Sequence, residues 1–78
     1  MPTVLRIGEY RFFFFSREET RMHIHVISPN GEAKFWLIPE VELARSTKFS
    51  PRQLREIEKL VREHRELFLD AWKEYFGD

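Results

Sequence analysis

The apolar residues of this chain change their spacing at Ser50-Pro51, and that change dictates strands first and helix after. Ahead of it the pattern runs in twos. Thr3 to Ile7 is β-branched and apolar, Gly8-Glu9 supplies a turn signal, and Tyr10 to Phe15 completes a first hairpin. In that second strand Tyr10, Phe12 and Phe14 point one way and Arg11, Phe13 and Phe15 the other, so aromatic bulk lies on both faces and the strand belongs inside the sheet. Arg17-Glu18-Glu19-Thr20-Arg21 reads as a solvated loop. Met22 to Ile27 is the third strand and Glu32 to Ile38 the fourth, joined at Ser28-Pro29-Asn30-Gly31. A three-residue loop with a bulge at a left-handed Gly31 sets Ser28 opposite Glu32, His25 opposite Phe35 and Ile24 opposite Trp36; a two-residue Asn30-Gly31 loop shifts that register. Pro39 stops the fourth strand, and Glu40 to Arg45, which suits a short edge strand or a turn of helix, reads as irregular.

Ser50 at the N-cap, Pro51 at the first helical position and Gln53 three residues on form a capping box, with Phe49 placed to staple against Leu54. Apolar residues then recur at Leu54, Ile57, Leu60, Val61, Leu67, Phe68, Trp72, Tyr75 and Phe76, with His64 at the centre of the stripe and Gly77 as a stop. Unbroken, a helix from Pro51 to Phe76 would run about 39 Å, whereas a domain of this size is roughly 30 Å across. The helix therefore breaks near Glu63 to Glu66 or projects past its sheet. Projection exposes an aromatic end, which makes Phe68, Trp72, Tyr75 and Phe76 candidate partner-binding residues and a homo-oligomer the expected state. The fold class is α+β: an antiparallel sheet of about four strands followed by a long or bent C-terminal helix, in one domain over 1–78, strand-rich over 1–45 and helical over 50–76.

At 78 residues there is chain for one core only. Thirteen Lys and Arg balance thirteen Asp and Glu, so the overall field cannot drive binding to nucleic acid or an acidic membrane, and any such binding rests on a local patch. No Cys is present, which removes disulfides, thiolate zinc sites and Cys nucleophiles and fits a reducing, cytoplasmic setting. The longest apolar runs, Phe12 to Phe15 and Phe35 to Ile38, are far below a membrane span, and no signal pattern opens the chain.

Chemistry concentrates at His23-Ile24-His25. Two His at i and i+2 of a strand share a face, near enough to grip one ion or to act as acid and base on one phosphate. The same pair also reads as amphipathic packing beside Phe35 and Leu37. A metal site lacks fixed further ligands, since only His64 and carboxylates such as Glu32, Glu40 or Glu42 remain, and no metal or cofactor is expected. A histidine-triad hydrolase needs a third His where Ile27 stands, and the cupin pattern needs a Glu where Pro29 and Asn30 stand. The three glycines form no phosphate loop. Lys34-Phe35-Trp36 reads either as a basic, aromatic contact for single strands or as ordinary packing, with Lys34 exposed and Trp36 in the core. His23, His25 and Lys34 are the catalytic candidates, with Arg11, Arg17 and Arg21 as a basic rim offset by Glu18 and Glu19.

Several stretches together resemble one family. They are Met1-Pro2-Thr3-Val4-Leu5-Arg6-Ile7, Tyr10-Arg11-Phe12-Phe13-Phe14, His23-Ile24-His25-Val26 and Ala33-Lys34-Phe35-Trp36-Leu37, then Phe49-Ser50, Leu54-Arg55-Glu56-Ile57, Val61 and Trp72-Lys73-Glu74-Tyr75-Phe76. Across nearly the whole chain they are similar to the small bacterial proteins of domain of unknown function 4160. The resemblance implies a bacterial or phage-borne origin and a gene beside one for domain of unknown function 2442, an arrangement similar to toxin-antitoxin pairs. The expected function is one half of such a module, acting by binding that small protein partner. The alternatives are a metal-independent ribonuclease toxin using His23 and His25, with RNA as partner, and a His-based metal-binding regulator.

Overall fold

Strands that follow one another in the chain also lie side by side in space, giving one antiparallel sheet of order β1-β2-β3-β4-β5. The structure is a computed structural model that describes residues 3–15 and 20–77. The strands are β1 (Thr3–Ile7), β2 (Tyr10–Phe13), β3 (His23–Ser28), β4 (Gly31–Trp36) and β5 (Glu42–Thr47), and the helices are α1 (Pro51–Glu63) and α2 (Arg65–Phe76). This is the α+β arrangement expected, with five strands in place of about four. Arg17 to Glu19 of the charged run lie outside the described residues.

The extra strand is β5, in the stretch read as irregular. Pro39, with a cis bond to Ile38, ends β4, and the chain returns along it, pairing Lys34 with Arg45 and then, after a bulge, Phe35 with Leu43. The bulge and the exposed edge position explain the missing signal: the alternation is interrupted, and every residue of β5 except Ala44 is exposed.

The β3–β4 register also differs from the expected one. Ser28 pairs with Gly31, so the loop is Pro29-Asn30 and each partner moves by one: His25 faces Lys34, Ile24 faces Phe35 and His23 faces Trp36. One step moves every side chain to the other face. His23 and His25 therefore share a face with Lys34 and Trp36, not with Phe35 and Leu37. Glycine is needed at position 31 for closeness and not for a positive φ, because a Cβ there would run into the carbonyl oxygen of Thr47 on β5.

Both helices pack on the face that carries Phe12, Phe14, Ile24, Val26 and Phe35, all fully or almost fully buried. Phe12 stacks on Phe68 with ring centroids 5.3 Å apart, and Phe14 meets Trp72 edge-on at 5.3 Å. The capping box forms as the sequence dictates: the Gln53 amide N–H donates to Ser50 Oγ at 3.1 Å, and the Ser50 amide to Gln53 Oε1 at 2.9 Å. The helix breaks at His64, within the stretch the length argument picked out, where φ −109° and ψ 17° depart from helical values. The imidazole Nδ1 of His64 donates to the Leu60 carbonyl at 2.9 Å, capping the end of α1. A carbonyl only accepts, so this nitrogen carries the proton. The break folds α2 back over the sheet, and Gly77, with φ 79°, ends it.

One polar contact ties α1 to the sheet. Tyr10, on β2, donates its hydroxyl to Glu56 Oε1 at 2.8 Å. Burial first, then the hydrogen bond and charge of Glu56, then Glu9, push the Tyr10 pKa up to about 12. The unfolded value is about 10, so between the two the folded state holds more protons and stability falls as pH rises. The contribution is complete below about pH 10 and disappears through about pH 12. The difference in urea midpoint between the native chain and Tyr10→Phe should shrink over that window; a difference that stays constant from pH 9 to 12 would refute the assignment.

Candidate functional site

The face of the sheet opposite the helices is built in rows, because directly paired residues of antiparallel strands point the same way. One row reads Arg6, Arg11, Ile27, Glu32, Thr47 from β1 to β5. The next reads Phe13, His25, Lys34, Arg45 from β2 to β5. A third holds His23, Trp36 and Glu42. Phe15, just beyond β2, sits over the second row, its ring 5.2 Å from Phe13 and 4.4 Å from His25. At about 4.8 Å per strand, the second row spans about 14 Å from an aromatic ring, across an imidazole and an ammonium, to a guanidinium.

A hollow of about 160 Å³ lies on this face, bordered by Arg11, Phe13, Phe15, His25, Glu32, Lys34 and Arg45 among others. Phe13, His25 and Lys34 are buried and form its floor, whereas Phe15, 40% exposed, and Arg45 are exposed at its rim. Arg11 is half-buried, its Nε donating to Thr3 Oγ1 at 2.8 Å and its guanidinium lying 4.9 Å from the Phe13 ring centre. Three cationic side chains thus border the hollow against one carboxylate, Glu32, in a chain whose charges otherwise cancel.

The two histidines hold different positions. His25 borders the hollow. His23 is fully buried, with Trp36 at 5.6 Å, Trp72 at 5.1 Å and His25 at 5.0 Å between ring centres. Its Nδ1 donates to the Arg21 carbonyl at 2.7 Å, which fixes the tautomer at that nitrogen. Lys34 and Trp36 reverse the packing assignment: Lys34 is buried with its ammonium 4.5 Å from the Trp36 ring centre, and Trp36 is half-buried on the open face instead of in the core. Arg21 also lies over Trp36, at 4.3 Å, and pairs at 3.7 Å with Glu42. Among the described residues no group of three or more His, Asp or Glu is placed to hold a metal ion, and no helix is long and apolar enough to cross a membrane.

The aromatic end of the helix does not border this hollow, although Trp72 reaches the His23 ring of the third row. Phe68 is fully buried and Trp72 6% exposed inside the chain's own core, and Phe76 is half-buried. The break at His64 is the reason, since it removes the projection that would have bared them. Tyr75, 45% exposed, and Leu67, 46%, are what α2 offers outward. Sequence reasoning missed Arg45, which enters the site only because β5 exists, and treated Phe13 and Phe15 as covering bulk although the alternation along β2 had already set them beside Arg11.

The family model described as domain of unknown function DUF4160 matches residues 9–73. No curated protein and no solved structure matches the chain.

Proposed function

We propose that this chain, which belongs to the DUF4160 family, binds nucleic acid on its open sheet face, as one member of a two-gene, toxin-antitoxin-like module in the bacterial cytoplasm. The observation that carries the binding is the row Phe13, His25, Lys34, Arg45 with Arg11 beside it: rings and cations side by side around a hollow that no described helix residue borders. Phosphates call for cations and bases for rings, and a face carrying both suits a strand laid across it. A pocket that engulfs a small metabolite measures roughly 300–1,000 Å³; a hollow of about 160 Å³ instead admits one group of a longer ligand.

Cleavage by a histidine pair has less support. His23 is sealed between Trp36 and Trp72 and its Nδ1 is committed to a carbonyl, so only His25 borders the hollow. General acid-base work on one phosphate asks for two groups within reach of it. Binding of a small protein partner, or of a second copy, draws support from Leu67 and Tyr75, the large apolar side chains exposed on α2.

Fluorescence anisotropy with a labelled oligoribonucleotide tests the binding. With Arg11 and Arg45 each neutralising a phosphate, affinity should fall about sevenfold between 50 and 200 mM salt, from a slope near −0.7 per single-strand phosphate. The Arg11→Gln, Arg45→Gln double variant should bind more weakly and lose that salt dependence. Binding that is indifferent to salt and to both substitutions would place the ligand elsewhere.

A further inference from the structure

We infer that the outward side of α2 docks a basic, amphipathic helix of a partner protein, whose apolar row meets Leu67, Ala71 and Tyr75 and whose Lys or Arg row meets Glu66, Asp70 and Glu74. This rests on the partner-binding reading above, narrows it to one kind of segment, and is independent of the nucleic-acid reading. Residues four apart line up along a helix. Leu67, Ala71 and Tyr75 therefore form one row, and Glu66, Asp70 and Glu74, each one residue earlier, form a second row beside it over about 12 Å. Leu67 and Tyr75 are nearly half exposed, and all three carboxylates are exposed. Among the described residues Glu66 meets Arg65 at 3.4 Å, while Asp70 and Glu74 pair with no cation.

The two rows meet at a hollow walled by Thr3 and Val4 from β1 and by Ala71, Glu74 and Tyr75 from α2, with the buried Phe14 also bordering it. Tyr75 is steadied by Phe14 and Phe76, with ring centres 6.3 and 4.6 Å away. One incoming segment thus finds an apolar socket and the Glu74 carboxylate side by side, and an apolar side chain with a cation next to it answers both. Four-residue rows on one helix interlock with four-residue rows on another. An extended segment fits less well, because it would add to the edge of β1, where a bulge between Thr3 and Leu5 breaks the ladder. A second copy of α2 brings no basic row: Arg65 is spent on the Leu37 and Pro39 carbonyls, and Lys73 lies beyond the acidic row, away from the apolar one. Nucleic acid is repelled by the carboxylates.

The test uses the full chain and three synthetic peptides of about 20 residues, long enough to form helix. The first carries a Leu row and a Lys row side by side, the second has Glu for each Lys, and the third keeps the Lys row but has Gln for each Leu. By fluorescence anisotropy the first should bind most tightly. Tyr75→Ala should weaken it about thirtyfold or more, as loss of an aromatic anchor does. Asp70→Asn with Glu74→Gln should weaken it about two- to thirtyfold, the range of two rim ion pairs, and that difference should shrink in high salt. The double variant preserves side-chain size, and an unchanged urea midpoint confirms its fold. Equal, measurable binding of the Lys and Glu peptides, or a double variant that binds the first peptide as the native chain does, overturns the inference while leaving α2 as a protein-docking surface. A full-chain dimer in sedimentation that Tyr75→Ala disperses also overturns it, giving the face to a second copy. If no peptide binds and the chain stays monomeric, the inference and the partner-binding reading both fall.

Discussion

Phe68→Ala will destabilise this chain by about 3–5 kcal/mol, the usual cost of deleting a fully buried aromatic side chain. Phe68 has no exposed surface and stacks on Phe12, itself fully buried, so the truncation leaves a void between α2 and β2 with little to collapse into it. A domain of this size has a total stability of only about 4–12 kcal/mol, and the variant should be near the edge of folding. Tyr75→Ala makes the contrast. Tyr75 is 45% exposed and touches Phe14 and Phe76 from outside, so its loss should cost less than about 1 kcal/mol and instead remove any partner bound through α2. Urea unfolding of the two variants, with sedimentation of Tyr75→Ala beside the native chain, separates the roles. A Phe68→Ala variant as stable as the native chain would mean that the packing of α2 on the sheet is wrong.

The elements that local chemistry specifies were legible. The capping box at Ser50 and Gln53, the stop at Gly77, the first hairpin and the division of β2 into two aromatic faces all follow from residues a few positions apart. Length against domain size, a global constraint, left a break near Glu63 to Glu66 or a projection, and no residue near His64 announces a stop as Gly77 does. What could not be read were contacts between distant parts. β5 is an exposed edge strand whose alternation a bulge interrupts, so nothing in Glu42 to Thr47 separates it from a loop until β4 lies beside it. The one-residue register error at Pro29-Asn30 has the same origin, since Gly31 looked like a left-handed turn residue while its real constraint is the Thr47 backbone arriving from β5.

That single register step decided how much of the site was visible. With His25 opposite Phe35 the histidines sit among core residues and packing explains them; with His25 opposite Lys34 they join a charged, aromatic face. The neighbours of His23, His25 and Lys34 were misplaced by that step. His23 and Lys34 both prove to be buried, and the exposed side chains at the rim of the hollow include Phe15 and Arg45. A ring on the outer side of β2 was a usable signal, since Phe15 and Arg11 point away from the face that the helix stripe must cover.

Arg65→Ala should cost about 2–3 kcal/mol, through backbone and not through charge pairing. Arg65 opens α2, where a cation faces the positive end of the helix dipole and gains nothing locally. Its Nε donates to the Leu37 carbonyl at 2.8 Å and its Nη2 to the Pro39 carbonyl at 3.3 Å, on the segment between β4 and β5. Arg62 reaches the Val41 carbonyl from α1 at 3.3 Å, and Arg21 the Ile38 carbonyl at 3.1 Å. Carbonyls that leave a strand at a proline have no ladder partner, and three guanidinium groups supply what the sheet cannot. A hydrogen bond from a charged donor is worth about 1.5–3 kcal/mol, and most of that should be lost from the better of the two when Arg65 is truncated. Its 3.4 Å contact with Glu66, which is 83% exposed, contributes almost nothing, so Glu66→Ala should cost only the few tenths of a kcal/mol, about 0.3–1, that a carboxylate gains in the first turn of a helix. Arg65→Lys should recover only part of the loss, because a single ammonium lacks the planar fork that meets two carbonyls at once. Urea unfolding of the three variants ranks them, and an Arg65→Ala midpoint equal to that of Glu66→Ala would show that the β4–β5 connection holds its shape without the clamp.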